Sequence, residues 1–157
     1  MKLFSSRDPV TLTMLDLEKF LPYRLSVLSN RISGGIARTY EERFGLGVTE
    51  WRVIAILGRY PGITATEVAE RAAMDKVAVS RAVSRLLDQE RLERHDNDGD
   101  RRAKRLYLSD AGQAVYDAIV PAALEFERDL LKALEPEERR RFLESLERLA
   151  EAAGGRE

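Results

Sequence analysis

Apolar residues recur at helical spacing through most of this chain, and the period shortens to two in one short stretch. From residue 10 to 44, Leu12, Leu15, Leu17, Leu21, Leu25, Leu28, Ile32, Ile36 and Tyr40 mark one amphipathic pattern. Pro22 interrupts it, so the expectation is either a kink there or a short leading helix followed by a long one. Gly34-Gly35 is a second soft spot where another backbone has room to approach, and Gly45 to Gly47 ends the helix by a glycine cap. Thr49 is the expected cap of a second helix over 50–60, with Trp51, Ile54, Ala55 and Leu57 on its buried side and Pro61-Gly62 as its stop.

Residues 64–108 then change character. Thr64 followed by Glu67 is a capping-box pattern, and Val68, Ala69 and Ala72 give a short helix one small apolar face. Residues 72–75 read as a turn, with Asp75 as the N-cap of the next helix. On that helix Val79, Ala82, Val83 and Leu86 form a core stripe. Leu92 to His95 reads as a strand, Asn97 to Asp100 as a turn, and Lys104 to Leu108 as a second strand with Leu106 and Leu108 on one face. Ser109 caps a long helix expected over 110–134, with Pro121 inside it. Its stripe is Val115, Ile119, Ala122 or Ala123, Phe126 and Leu130. Glu135-Pro136-Glu137-Glu138 opens a last helix with Pro at the first position and acids in the first turn. Phe142, Leu146 and Leu149 follow on one stripe and Gly154-Gly155 ends it.

A short helix, a turn, a longer helix and a hairpin with a charged tip is the order of a helix-turn-helix followed by a wing, a device that lays a helix in the major groove of DNA. The side of the second helix opposite its core stripe carries Val77, Ser80, Arg81, Ser84 and Arg85, with Lys76 at its start. Arg pairs with guanine edges, Ser with several edges or with phosphates, and Val with a thymine methyl. Taken alone, such a face is also what any solvated helix shows. The wing changes that balance: Asp100-Arg101-Arg102 sets two guanidiniums beside a carboxylate near the hairpin tip, a composition suited to a narrow minor groove.

The run from Val79 to Gly112 resembles the MarR family of bacterial winged-helix regulators. The matching pieces are Val79-Ser80-Arg81, Asp100-Arg101-Arg102, Leu106-Tyr107-Leu108-Ser109 and Gly112, and the flanking helices extend the likeness over nearly the whole chain. The resemblance implies that Asp100 orients Arg102 for the minor groove, with Arg101 as a phosphate partner. It also implies that the helix over 50–60 supports the recognition unit, that the chain ends interlock into a dimer body, and that a small-molecule pocket lies between that body and the winged helix.

Composition narrows the picture further. With 157 residues, 44% of them hydrophobic and 34% charged, the chain can bury a real core in one domain, or one and a small extension. It has no apolar run near the roughly 20 residues of a membrane span and no signal-peptide pattern at its start, so no membrane partner and a cytoplasmic location are expected. Having no Cys and a single His, it offers no thiol switch and no ordinary metal or catalytic site; no cofactor, no metal and no catalytic residue is expected. The formal net charge of −1 argues at first against DNA. Its distribution does not: residues 75–108 hold nine Lys/Arg against seven Asp/Glu, while residues 109–157 hold seven against twelve. The acidic C-terminal third is expected to face away from the duplex.

The fold expected is therefore mainly α, a winged helix-turn-helix with a two-stranded β wing and with N- and C-terminal helices forming a dimerisation body. The boundaries expected are 1–44 for the arm and first helix, 45–108 for the winged helix and 109–157 for the C-terminal helices. The outer helices offer more apolar surface than one small domain needs. Either they pack on one another within the chain or they pair with a second copy, as helix-turn-helix proteins on palindromes do. The residues expected in the homodimer are Leu12, Leu15, Leu21, Leu124, Leu131, Leu134, Phe142, Leu146 and Leu149. For a ligand, Tyr23, Arg24, Ser26 and Asn30 cluster on the first helix and Trp51 lies on the second. Arg24 suits a carboxylate and the aromatics a ring, although Tyr23 and Trp51 also suit a core and Arg24 a surface ion pair. The segment 20–33 resembles family members that sense hydroxycinnamate-like aromatics or their thioesters. The function expected is a sequence-specific DNA-binding regulator on a palindromic double-stranded operator, a repressor released by a small aromatic carboxylate or thioester. The rival is a winged helix that binds protein rather than DNA. An enzyme is disfavoured, since no Gly-rich phosphate loop and no nucleophile–base pair stand out.

Overall fold

The computed structural model describes residues 13–97 and 99–154, with the side chains of residues 97 and 100–102 outside that description. The order is α1 (Leu21–Phe44), α2 (Val48–Arg59), α3 (Ala65–Ala72), α4 (Lys76–Asp88), β1 (Leu92–Asn97), β2 (Asp100–Leu108), α5 (Asp110–Leu131) and α6 (Pro136–Gly154). This is the mainly helical winged helix expected. The chain divides into two compact units, Met1–Gly34 and Gly35–Glu157, and α1 runs through the boundary.

In the first unit, residues 13–20 are not helical and α1 begins at Leu21. Pro22 therefore neither kinks a long helix nor follows a leading one among the described residues. It sits in the first turn, where its missing N–H has no intrahelical partner to lose. Leu15, Leu17, Leu21, Leu25 and Leu28 are exposed.

The second unit holds the core. Val53, Ile54 and Leu57 of α2 meet Val68 and Ala69 of α3, Val79, Ala82, Val83 and Leu86 of α4, Leu92 and Leu106 of the hairpin, and Val115 and Ile119 of α5, with Tyr40 and Leu46 closing one side. The stripe expected on α4 is buried as read; on α3 Val68 and Ala69 are buried and Ala72 is half-buried, and Val53 on α2 was not singled out. Gly45 has φ +63° and its N–H donates to Glu41 O at 2.9 Å, the glycine stop expected for α1. Gly35 does not receive another backbone. The ring of Phe126 fills its place, so close that a Cβ there would lie 2.4 Å from it.

Two helix starts deserve comparison. Thr64 caps α3: its Oγ1 accepts the Glu67 N–H at 3.2 Å, and Glu67 Oε2 accepts the Thr64 N–H at 2.7 Å. α2 is capped at Gly47 rather than Thr49, because Glu50 lies three residues past Gly47 and its Oε2 reaches back to the Gly47 N–H at 2.7 Å. Removing the Thr64 hydroxyl as Thr64→Ala is expected to lower stability by about 1 kcal/mol. The Thr64 N–H is also the main cause that holds the Glu67 carboxyl below its ordinary 4.5. A depressed value means that this contribution is fully present above the ordinary value and is lost as pH falls through the depressed one. Acid titrations followed by circular dichroism should show a flatter acid limb for Glu67→Gln.

The hairpin is antiparallel, pairing Leu92 with Leu108 and Arg94 with Leu106, and its register shifts at Asp96/Asn97. β2 begins at Asp100 rather than Lys104, so Asp100, expected in the turn, and Arg101 and Arg102, expected between turn and strand, belong to the strand. Ile63 adds a bridge to Leu106, with the Leu106 N–H donating to Ile63 O at 2.9 Å and the Gly62 N–H to Leu106 O at 2.8 Å. The link between α2 and α3 thus covers part of the free edge of β2. Gly62 at φ +82° makes that turn possible.

Candidate nucleic-acid interface

α4 is capped at its N-terminal end. Asp75 Oδ1 accepts the Val77 and Ala78 N–H groups at 2.7 and 3.3 Å, satisfying two donors that a helix start leaves without partners. Before it, Ala73 takes the left-handed conformation at φ 48°, which turns the chain from α3 into α4. Four residues of one face, Val79, Ala82, Val83 and Leu86, are buried. Lys76, Val77, Ser80, Arg81, Ser84 and Arg85 all lie exposed, as the spacing predicted. Val77, in the first turn of α4, is 58% exposed on this polar face, where its methyls are open to a thymine methyl.

Arg85 is not a free cation. Its Nη1 donates to Glu50 Oε1 at 3.0 Å, with the Arg85 side chain 74% exposed and that of Glu50 only 5%. Glu50 is the acid in the first turn of α2. Its burial and its reach to another helix depend on packing that no local pattern encodes.

A cleft of about 560 Å³ opens between α3, α4 and the hairpin. Thr64, Thr66, Ser80, Ser84, Arg94 and Lys104 line it, with the carboxylate of Asp88 at one side, above a floor that includes Val83 and Leu106. Hydroxyls and cations around an apolar floor suit a phosphate-bearing backbone. Thr66 on α3 and Arg94 and Lys104 on the hairpin were not singled out in the sequence. Lys104 pairs with Asp96 across the strands, and its hydrogen bond is the main cause that holds the Asp96 carboxyl below its ordinary range. The side chains of Asp100, Arg101 and Arg102, the wing residues singled out in the sequence, lie outside the described residues.

The remaining expected residues fall elsewhere. Tyr23, Arg24, Ser26 and Asn30 are exposed on α1. Trp51 is half-buried in an aromatic run, its ring centroid 5.9 Å from that of Tyr40 and 6.4 Å from that of Tyr116. Leu15, Leu21, Leu124, Phe142, Leu146 and Leu149 are exposed, Leu131 and Leu134 are half-buried, and Leu12 lies outside the described residues. Among the described residues no group of His, Cys, Asp and Glu could hold a metal ion, and no helix is long and apolar enough to cross a membrane.

No curated protein matches the chain. A family model described as "MarR family" matches residues 44–103, the winged-helix segment. Among solved structures, a MarR-family transcriptional regulator from Silicibacter pomeroyi is 27% identical, with a TM-score of 0.73 over 87% of this chain and 91% of its own. A MarR/EmrR-family regulator from Acinetobacter sp. ADP1 is 26% identical, with a TM-score of 0.80 over 89% of this chain and 99% of its own. The PcaV regulator of Streptomyces coelicolor, solved with its natural ligand, is 22% identical with a TM-score of 0.73 over 90% of this chain and 99% of its own, and shares the fold. The family match centres on the very helices and hairpin that frame the exposed face of α4, and the likeness to these regulators runs through the flanking helices as well, so residues 44–103 match the MarR family and the chain as a whole is similar to MarR-family transcriptional regulators.

Proposed function

We propose that this regulator binds a palindromic double-stranded operator in a sequence-specific way as a homodimer, and that it is a repressor released by a small aromatic carboxylate or thioester. The observation that carries the DNA reading is the exposed face of α4, polar and basic opposite a fully buried stripe, beside a cleft lined with hydroxyls and cations. On this reading Val77, Ser80, Arg81 and Ser84 meet base edges, and Lys76 and Arg101 meet phosphates. Arg85 stands on the same face, and Arg102, oriented by Asp100, enters the minor groove. As a regulator of chromosomal DNA it acts in the cytoplasm.

Pairing is supported by the outer helices. α6 buries no residue, and Phe142, Leu146 and Leu149 expose one apolar stripe along it. Such a surface on a folded chain marks an interface. Two copies related by a two-fold axis would set their recognition helices about one DNA turn, roughly 34 Å, apart.

Release by a ligand follows from linkage: a molecule that prefers the conformation unable to bind the operator lowers operator affinity by the ratio of its affinities for the two states. Arg24 and Tyr23, adjacent and exposed on α1, are the candidate contacts there for a carboxylate and a ring, with Ser26 and Asn30 beside them. The ligand-bound PcaV structure supports a small-molecule site in this fold. In a thermal-shift panel of aromatic acids and thioesters, at least one should raise the melting temperature; a panel with no rise counts against ligand release.

The DNA reading is tested with duplexes from the region flanking the gene, titrated over a salt series. Wild type should bind with a steep inverse salt dependence. Arg102→Ala should lose most of the affinity, and Arg81→Ala should relax specificity at one base position by about 1–3 kcal/mol. Binding to no duplex would favour the rival, a winged helix that meets protein. An equal loss on every operator variant would make Arg81 a phosphate contact.

A further inference from the structure

Glu50 is the one buried charged residue among the described residues, 4% exposed. A carboxylate taken out of water is costly unless its oxygens are matched. Here each oxygen has its own partner. Oε2 accepts the Gly47 N–H at 2.7 Å and so caps α2; Oε1 accepts Arg85 Nη1 at 3.0 Å and so reaches α4. One side chain therefore ties the start of a core helix to the face of the recognition helix. Arg85 lies one turn beyond Arg81 on that face, and most of its guanidinium still meets solvent.

We infer that Glu50 is a positioning residue for DNA specificity. It holds Arg85 as a strut between α2 and α4, and it offsets the charge that Arg85 would otherwise offer to any phosphate. An untethered arginine on this face would bind duplexes of every sequence alike, because phosphate contacts carry no sequence information. The buried carboxylate suppresses that sequence-blind contact and keeps α4 in one register against α2. The inference rests on the DNA reading proposed above.

Glu50→Gln tests it. The amide keeps the volume and an acceptor for the Gly47 N–H but removes the charge facing Arg85. Fluorescence anisotropy on an operator duplex and on a scrambled duplex, each over a salt series, gives affinity, specificity ratio and salt slope. The expected result is several-fold tighter binding to the scrambled duplex, a salt slope steeper by about one per protomer and a specificity ratio lowered about tenfold. The double variant Glu50→Gln/Arg85→Met should cancel the gain on the scrambled duplex. A purely structural role would lower the melting temperature and move neither the slope nor the ratio, which overturns the inference; so does a gain that survives in the double variant. Should Glu50→Gln fail to fold, Arg85→Lys decides. A compact ammonium grips a buried carboxylate less rigidly than a planar fork, so scrambled-duplex affinity should rise in the same direction by a smaller factor, and wild-type behaviour in both slope and ratio overturns the inference. Wild type binding no duplex fails the DNA reading itself, a result distinct from an unchanged ratio.

Discussion

Gly112→Ala is expected to destabilise the chain by about 3 kcal/mol or more, the upper end for a residue forced into filled space, and to lower its melting temperature by roughly 6–12 °C. Gly112 is in the first turn of α5, and a Cβ built there would lie 1.9 Å from the carbonyl oxygen of Arg91. That oxygen belongs to the backbone and is already engaged, accepting the Ser109 N–H at 3.1 Å. Ser109 in turn caps α5 through its Oγ, which accepts the Gly112 N–H at 3.1 Å and donates to Glu90 O at 2.6 Å. Arg91 Nη2 also donates to Phe44 O at 2.9 Å, at the end of α1. The added methyl cannot be relieved by a rotamer change, because nothing flexible stands in its way. Either α5 lifts from the loop before β1, or the loop moves and takes the hairpin with it. Gly34→Ala is the matching control. Nothing lies within 4 Å of a Cβ at Gly34, so the gain in helix propensity should stabilise by up to about 1 kcal/mol. Calorimetry on both proteins decides the matter, and equal melting temperatures for wild type and Gly112→Ala would refute the close approach.

Leu146→Glu is expected to convert the dimer proposed above to a monomer and, with it, to remove most operator binding. Leu146 lies on α6 with Phe142 and Leu149, all exposed in the single chain. A carboxylate at the centre of an apolar interface would be stranded without a partner, at a cost of several kcal/mol. At about 1.4 kcal/mol per tenfold, that raises the dimer dissociation constant by two orders of magnitude or more. Two recognition helices on one body engage adjacent half-sites at a high effective concentration, and separate copies lose that advantage. The fold of each chain should survive, because α6 buries no residue in it. Light scattering at micromolar protein and a band-shift assay read the two effects. A variant with wild-type mass and wild-type operator affinity would remove α6 from the dimer.

Much of the recognition unit was legible before any coordinates. Thr64 and Glu67, Asp75, Ser109 and Gly45 all cap or stop helices where local chemistry placed them, because a cap is a contract between residues a few positions apart. The buried stripe Val79, Ala82, Val83 and Leu86 followed from periodicity alone, and the exposed face of α4 followed from the stripe. The errors share a cause. Pro22 fits equally well at a kink or a helix start, and only the non-helical course of residues 13–20 distinguishes the two. Thr49 is a better cap than Gly47 by type, yet Glu50 reaches back to Gly47. The Asp-Arg-Arg segment reads as lying between turn and strand, but β2 runs from Asp100 through it.

Sequence alone settled the winged-helix order, the stripe that α4 buries and the polar face it presents, because each depends on spacing within one element. Tertiary packing alone decided that Glu50 is buried and grips Arg85, that Ile63 borders β2, that Phe126 fills the space at Gly35 and that the Arg91 carbonyl forbids a side chain at Gly112. Each of these joins residues distant along the chain, and a contact of that kind exists only once the core has brought its two sides together.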